Sequence, residues 1–179
     1  SRMLEGGVLT ARLDVPWVNG REAILRSRNK AETLARLEAA GVPVPETVLV
    51  SDPVDRERVT GALDQFDLPV VVKPNSTSRG AGVLRVGDRD SLAGVSELFS
   101  LLHEFPATRD RSYLLQEYLP AARDYRIMVI DGSVVGAVER SLPEPAAEAG
   151  QWKQNIHRGA TATGIEPAAR HRELAERAA

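Results

Sequence analysis

A lysine closes a run of β-branched residues in Pro69-Val70-Val71-Val72-Lys73-Pro74, and a polar, glycine-containing segment follows it from Asn75 through Ser76, Thr77, Ser78, Arg79, Gly80 and Ala81 to Gly82. An ammonium at the end of a valine-rich strand is costly to bury unless it meets an anion, and the next residues offer hydroxyls, backbone N–H groups and a guanidinium. Together they suit a phosphate cradle, with Gly80 and Gly82 letting the loop close over a ligand without a Cβ clash. The loop lacks apolar anchors and is expected at the low end of local stability. The segment is not a Walker motif, because no G-K-[ST] opens a helix, and it lacks the Rossmann G-x-G-x-x-G. An ordinary hairpin with a lysine snorkelling to water fits the same residues.

Two further groups of residues could take part in the same chemistry. In Leu114-Leu115-Gln116-Glu117-Tyr118-Leu119-Pro120, polar residues interrupt an apolar strand before a proline turn. Such a strand end can present backbone donors and acceptors to an adenine edge, although an amphipathic strand reads the same way. Asp124-Tyr125-Arg126, then Glu139-Arg140, then Lys153-Gln154-Asn155-Ile156-His157-Arg158-Gly159 make the third group. Period-two alternation puts Asp124 and Arg126 on one face, and with Arg140 and Lys153 that face could hold polyphosphate and a carboxylate together. A solvated, salt-bridged sheet face is the competing reading.

The elements that must position these residues are marked by caps, periods and turns. Asn29 can cap a helix, with Glu32 placed to complete a capping box, and Ala31, Leu34, Ala35 and Leu37 form an apolar stripe ending at Gly41. Thr47 to Val50 reads as a strand, and Pro53 opens a helix reaching about Phe66. Val83 to Val86 is the return strand after the loop; Asp90 or Ser91 can cap a helix to about His103. Tyr113 to Leu119 and Tyr125 to Ile130 read as strands, and Asp131-Gly132 turns the second into Val134 to Arg140. Pro143 to Gly150 is expected to be a mobile loop, and a helix begins after Glu166-Pro167. Residues 1–28 carry no strong period. The predicted core includes Leu34, Leu37, Val70, Val72, Leu115, Ile127 and Val129.

Composition bounds what such a site can serve. A chain of 179 residues with 42% hydrophobic and 27% charged residues is long and apolar enough to fold into one or two small domains. A formal net charge of −2 supplies no basic field for nucleic acid, so anions must be captured locally. The absence of cysteine excludes disulfides and thiolate metal sites and fits a reducing cytosol. No apolar run approaches the roughly 18 residues of a membrane helix, and Ser1 to Gly20 lacks a signal-peptide core. The expectation is a cytoplasmic protein without nucleic-acid or membrane partners, with homo-oligomerisation left open.

Taken in order, Arg28-Asn29-Lys30, Val71-Val72-Lys73, the Asn75 to Gly82 loop, Gln116-Glu117-Tyr118, Asp124-Tyr125-Arg126, Asp131-Gly132, Val138-Glu139-Arg140 and Asn155-Ile156-His157-Arg158-Gly159 resemble the ATP-grasp core of RimK-type α-L-glutamate ligases. The resemblance runs from about Ala23 to Glu166. It implies ATP held between two α+β lobes, with residues 1–22 as a segment of unclear structure, 23–110 as the first lobe and 111–179 as a second lobe lacking its C-terminal part. Lys30 and Lys73 would contact the phosphates, Ser76, Thr77, Ser78, Arg79, Gly80 and Gly82 would close over them, and Glu117 with Tyr118 would meet the adenine. Asp124 would face the ribose and Lys153, Gln154 and Asn155 would line the triphosphate. Arg126, Arg140 and Arg158 would touch the acyl phosphate and the substrate carboxylate. The chain departs from the family at Pro74-Asn75 and at Lys153-Gln154.

In that family an Asp and a Glu-x-Asn on later strands bind the magnesium ions that bridge the phosphates, and the expectation is that these ligands lie downstream, so that no metal ligand is assigned within the chain. The implied activity of the parent protein is ATP-dependent joining of glutamate or a related amino acid to a carboxylate acceptor, through an acyl phosphate. The 179-residue chain alone is expected to be inactive. Rival readings are a non-catalytic nucleotide-binding or interaction module, and an ATP-grasp ligase acting on another amino acid or a cofactor.

Overall fold

The computed structural model describes residues 12–13, 18–51, 56–77, 80–103, 112–120, 123–156 and 159–179. Two compact units emerge, one built from Ser1–Arg36 with Glu46–Gln116, the other from Leu37–Pro45 with Glu117–Ala179. The expected boundary at 110/111 therefore moves to Gln116/Glu117, because the strand just before it pairs inside the first unit's sheet.

The first unit opens with helix α1 (Arg21–Arg28) and the part of α2 (Lys30–Ala39) up to Arg36. Asn29 caps α2 as expected, its Oδ1 accepting from Glu32 N at 3.0 Å. The reciprocal arm of a capping box is replaced, since the Glu32 carboxylate accepts from Arg36 Nε at 3.0 Å instead. At the far end Gly41 N donates to Glu38 O at 2.8 Å and Val42 N to Leu37 O at 2.9 Å. With Gly41 at φ 69°, this is the Schellman ending its sequence position suggested.

Strands β1 (Thr47–Ser51), β2 (Val70–Pro74), β3 (Leu84–Val86) and β4 (Ser112–Glu117) form one sheet in the order β1-β4-β2-β3, with α3 (Arg56–Leu63) and α4 (Arg89–His103) completing the unit. β4 lies antiparallel to β1, with Thr47 opposite Gln116, and β2 antiparallel to β3, with Val71 opposite Arg85. Val50, Val59, Leu63, Val70, Val72, Val86, Leu92, Tyr113 and Leu115 make the core. Tyr113, Leu114 and Leu115 are all fully buried, so β4 is a central strand covered on both faces and the amphipathic reading of it does not hold. Helix α4 is capped by Asp88 rather than Asp90 or Ser91: Asp88 Oδ1 accepts from Ser91 N at 2.8 Å. The start expected at Pro53 lies outside the described residues.

The second unit carries β5 (Asp124–Ile130), β6 (Ser133–Ser141) and β7 (Thr161–Gly164) in that order, with α5 (Glu144–Glu148) and α6 (Ala169–Ala178). Asp131 at φ 51° and Gly132 at φ 70° supply the two positive φ values of the tight hairpin between β5 and β6. The expected mobile loop at 143–150 contains α5, because Pro145 sits where a helix needs no N–H and the alanines after it are strong helix formers. Strand β7 went unforeseen: its Thr-Ala-Thr-Gly sequence is exposed throughout and carries no apolar period. Ile127 and Val129 are half-buried rather than core, as are Leu34 and Leu37, since helix α2 has no fully buried residue and the second sheet has three strands. None of the described helices is long and apolar enough to cross a membrane.

Leu115→Ala should cost about 2 to 5 kcal/mol, because it hollows a fully buried position. Leu49→Ala, at a position 49% exposed, should cost much less; urea denaturation of the two variants checks the contrast.

Candidate functional site

In the first unit the sheet has one face on the core and one that collects polar groups. Val70 and Val72 face the core, so alternation sends Val71 and Lys73 to the other face. On β4 the core residues Tyr113 and Leu115 likewise leave Leu114 and Gln116 to that face, and on β1 Thr47 lies opposite Gln116. Lys73 Nζ donates to Gln116 Oε1 at 2.5 Å, and Gln116 Nε2 donates to Thr47 Oγ1 at 2.7 Å. Burial, then the charge of Lys30, push the Lys73 ammonium down to about 8 from its ordinary 10.5.

Lys30, the first residue of α2, gathers the start of the loop. Its Nζ donates to the carbonyls of Pro74, Asn75 and Thr77 at 2.8, 2.9 and 2.6 Å, which matches the three donors of an ammonium. Asn75, only 5% exposed, stitches the same region: Oδ1 accepts from Ala31 N at 3.0 Å and Nδ2 donates to Ser112 Oγ at 3.1 Å. Further on, Thr77 Oγ1 donates to Ala81 O at 2.9 Å, and Gly82 at φ 72° leaves room for Pro74, whose Cγ would lie 2.7 Å from a Cβ placed there. Gly80 also has a positive φ, and Ser76 is exposed; Ser78 and Arg79 lie outside the described residues.

The second unit holds the remaining candidates. Glu117 ends β4, and the Tyr118 ring meets Trp152 edge-to-face at a centroid distance of 5.9 Å. Lys153 Nζ stands 5.5 Å from the centre of the same indole, followed by half-buried Gln154 and Asn155. Asp124 pairs across the hairpin with Arg140, whose Nη2 donates to Asp124 Oδ2 at 2.6 Å. The Arg140 side chain is 16% exposed, and its Nε is buried with no hydrogen-bond partner among the described residues. Arg126 lies exposed on the same face, opposite Val138. On the opposite face α6 covers the hairpin, with Tyr125 and His171 rings 5.0 Å apart and Glu176 Oε1 accepting from Val134 N at 3.1 Å. His157 and Arg158 lie outside the described residues.

Two side chains escaped the sequence reading. Gln116 was legible only as part of a motif, though a glutamine inside an apolar strand must find partners, and the alternation that places Lys73 places it too. Trp152, beside the expected Lys153, carried no periodic signal.

Residues 27–179 match the model of the RimK-like ATP-grasp domain. The chain belongs to the RimK-like ATP-grasp family. A "Probable alpha-L-glutamate ligase" of Shewanella halifaxensis is 31% identical over 173 residues, covering 93% of this chain and 34% of that protein. The tetrahydromethanopterin:α-L-glutamate ligase of Methanosarcina acetivorans is 31% identical, covering 99% of this chain and 52% of the relative. The crystal structure of a RimK domain ATP-grasp protein from Sphaerobacter thermophilus superposes with a TM-score of 0.63 at 26% identity, over 97% of this chain and 58% of that one. The ATP-grasp chain thus spans about half the length, or less, of the curated relatives it matches.

The lowered Lys73 fixes a pH dependence of stability for this ATP-grasp chain. Between about 8 and 10.5 the unfolded chain holds a proton on Lys73 that the folded one has released, so stability rises with pH across that window and is flat, at its lower level, below it. Lys73→Met should remove that rise, which urea melts of both proteins at a series of pH values will show as a difference confined to the window.

Proposed function

We propose that the protein carrying this chain is an ATP-dependent carboxylate–amine ligase that adds glutamate or a related amino acid to a carboxylate acceptor. The observation that supports it most is the environment of Lys73. A largely buried ammonium repelled by Lys30 is answered by a neutral amide, not a carboxylate, which leaves positive potential beside a loop rich in backbone donors. A polyphosphate is the ligand that such a place stabilises.

In this reading Lys73 binds a phosphate oxygen of ATP, Lys30 holds the loop and adds its charge, and Ser76, Thr77, Gly80 and Gly82 lie against the phosphates, with Ser78 and Arg79 assigned there from the sequence. Glu117 and Tyr118 meet the adenine, Tyr118 being steadied by Trp152, and Asp124 faces the ribose while orienting Arg140. Lys153, Gln154 and Asn155 line the triphosphate. Arg140 offers its unmatched Nε–H, and Arg126 and Arg158 their guanidinium groups, to the acceptor carboxylate and the acyl phosphate. A carboxylate is a poor electrophile; phosphorylation by ATP gives it a leaving group that the amine displaces. Cations at the transferring oxygens lower the cost of bringing anions together. Among the described residues no group of three His, Cys, Asp or Glu side chains could hold a metal ion, and the steps assigned here rest on the lysines and arginines. Both relatives are named as glutamate ligases, which supports glutamate as the amine.

Lys73→Ala in the full-length protein should weaken ATP binding by about ten- to a hundred-fold, the loss expected for one charged hydrogen bond, as measured by calorimetry. ADP release, followed with ATP, magnesium, glutamate and a panel of carboxylate acceptors, should require an acceptor and fall sharply in Arg140→Ala. ATP binding with no acceptor-dependent ADP release would replace the ligase reading with that of a nucleotide-binding module.

A further inference from the structure

Gln116 is a buried side chain bonded to Lys73, and both ends of its amide are engaged. An ammonium can only donate, so Oε1 must face Lys73 and the NH2 must face Thr47. The chain Thr47, Gln116, Lys73 crosses three neighbouring strands, β1, β4 and β2, on one face of the sheet. Among the described residues no other hydrogen-bond partner of Lys73 is present, which leaves two of its three protons for a ligand. Gln116 is 8% exposed, so its position is set by packing rather than by solvent, and the flexible lysine stem ends on a fixed acceptor.

We infer that Gln116, backed by Thr47, is the positioning residue that holds the Lys73 ammonium at the strand end with two protons directed to a phosphate. The inference rests on the reading of Lys73 as a phosphate-binding side chain. Gln116 touches the lysine and not the nucleotide, so it acts through Lys73. It also bears on the charge state of that lysine: an accepting oxygen favours the ammonium, whereas burial and Lys30, from α2, oppose it. Arg85, opposite Val71 on β3, lies on the same face; Gln116 and Thr47 are neutral.

The test measures ATP affinity of the full-length protein by calorimetry from about pH 7.5 to 10, across the range in which Lys73 loses its proton. Wild type, Lys73→Ala, Gln116→Met, Gln116→Glu and Thr47→Val are compared, with thermal melts of each. Wild-type affinity should fall with a midpoint near Lys73's value, and Lys73→Ala should lose that fall. Gln116→Met should bind about ten-fold more weakly with an earlier midpoint, and Gln116→Glu, which keeps the volume but adds a carboxylate, should move the midpoint up by about one unit or more. Thr47→Val, isosteric and without the hydroxyl, should repeat the Met effect in smaller degree and keeps the test valid if Gln116→Met fails to fold. Wild-type affinity and midpoint in Gln116→Glu and Thr47→Val, while Lys73→Ala binds weakly, would overturn the positioning role alone. Wild-type affinity in Lys73→Ala would remove the phosphate reading of Lys73, and the role of Gln116 with it.

Discussion

A buried ammonium sets the terms for everything around it. Lys73 ends a strand whose valines are driven into the core, so its stem has little freedom in where to go, and its head must be met on the sheet's other face. Desolvation and a neighbouring lysine both work against its charge. The fold responds with neutral acceptors, a glutamine on the next strand and a threonine beyond it, and not with a carboxylate that would cancel the charge. Lys30 donates to three backbone carbonyls. The neutral acceptor at Lys73 keeps positive potential available to a diffusible anion, whereas an ion pair would have sealed it inside the protein.

The second unit solves a related problem by the opposite route. Arg140 faces Asp124 directly across a hairpin, and the short bond between them fixes the plane of the guanidinium. Because a guanidinium carries five donors, one carboxylate contact orients it without saturating it, and the buried Nε is among those left over. A lysine in the same place would lose that geometry, since its ammonium has no plane to fix.

Much of this is legible in the amino-acid sequence alone, and the reason differs by element. Strand β2 announces itself through consecutive β-branched residues, and the hairpin through Asp131-Gly132, because each depends on local chemistry that few alternatives satisfy. The ordered motifs also carry the family, which the domain match from residue 27 onward bears out. Helix α5 and strand β7 are not readable: Pro143 and Pro145 signal a turn as readily as a first helical turn, and four exposed small residues hold no pattern at all. The unit boundary is missed for a different reason. Whether β4 belongs before or after a boundary is decided by its pairing with β1, and register between strands more than sixty residues apart is a tertiary fact. Lys73, Asp124 and Arg140 can be singled out by type, whereas the link from Gln116 to Lys73 needs the neighbouring of β4 and β2, a tertiary fact of the same kind.

Arg177, near the end of α6, donates to the carbonyls of Ala40 and Gly41 at 3.1 and 3.0 Å, closing the exit of α2. The short connector Leu37–Pro45 therefore belongs to a unit whose other residues all come after Gln116. During synthesis the connector leaves the ribosome early, while the arginine that satisfies it is among the last residues described. A chain interrupted between Glu117 and Arg177 can pair its first sheet but leaves the carbonyls of Ala40 and Gly41 without the arginine, and the joining contact spans 137 residues. Closing so long a loop costs only slightly more than closing one half its length, by about 0.6 kcal/mol. The burden of this arrangement thus falls on the order of assembly, with the connector waiting for α6, far more than on the finished stability.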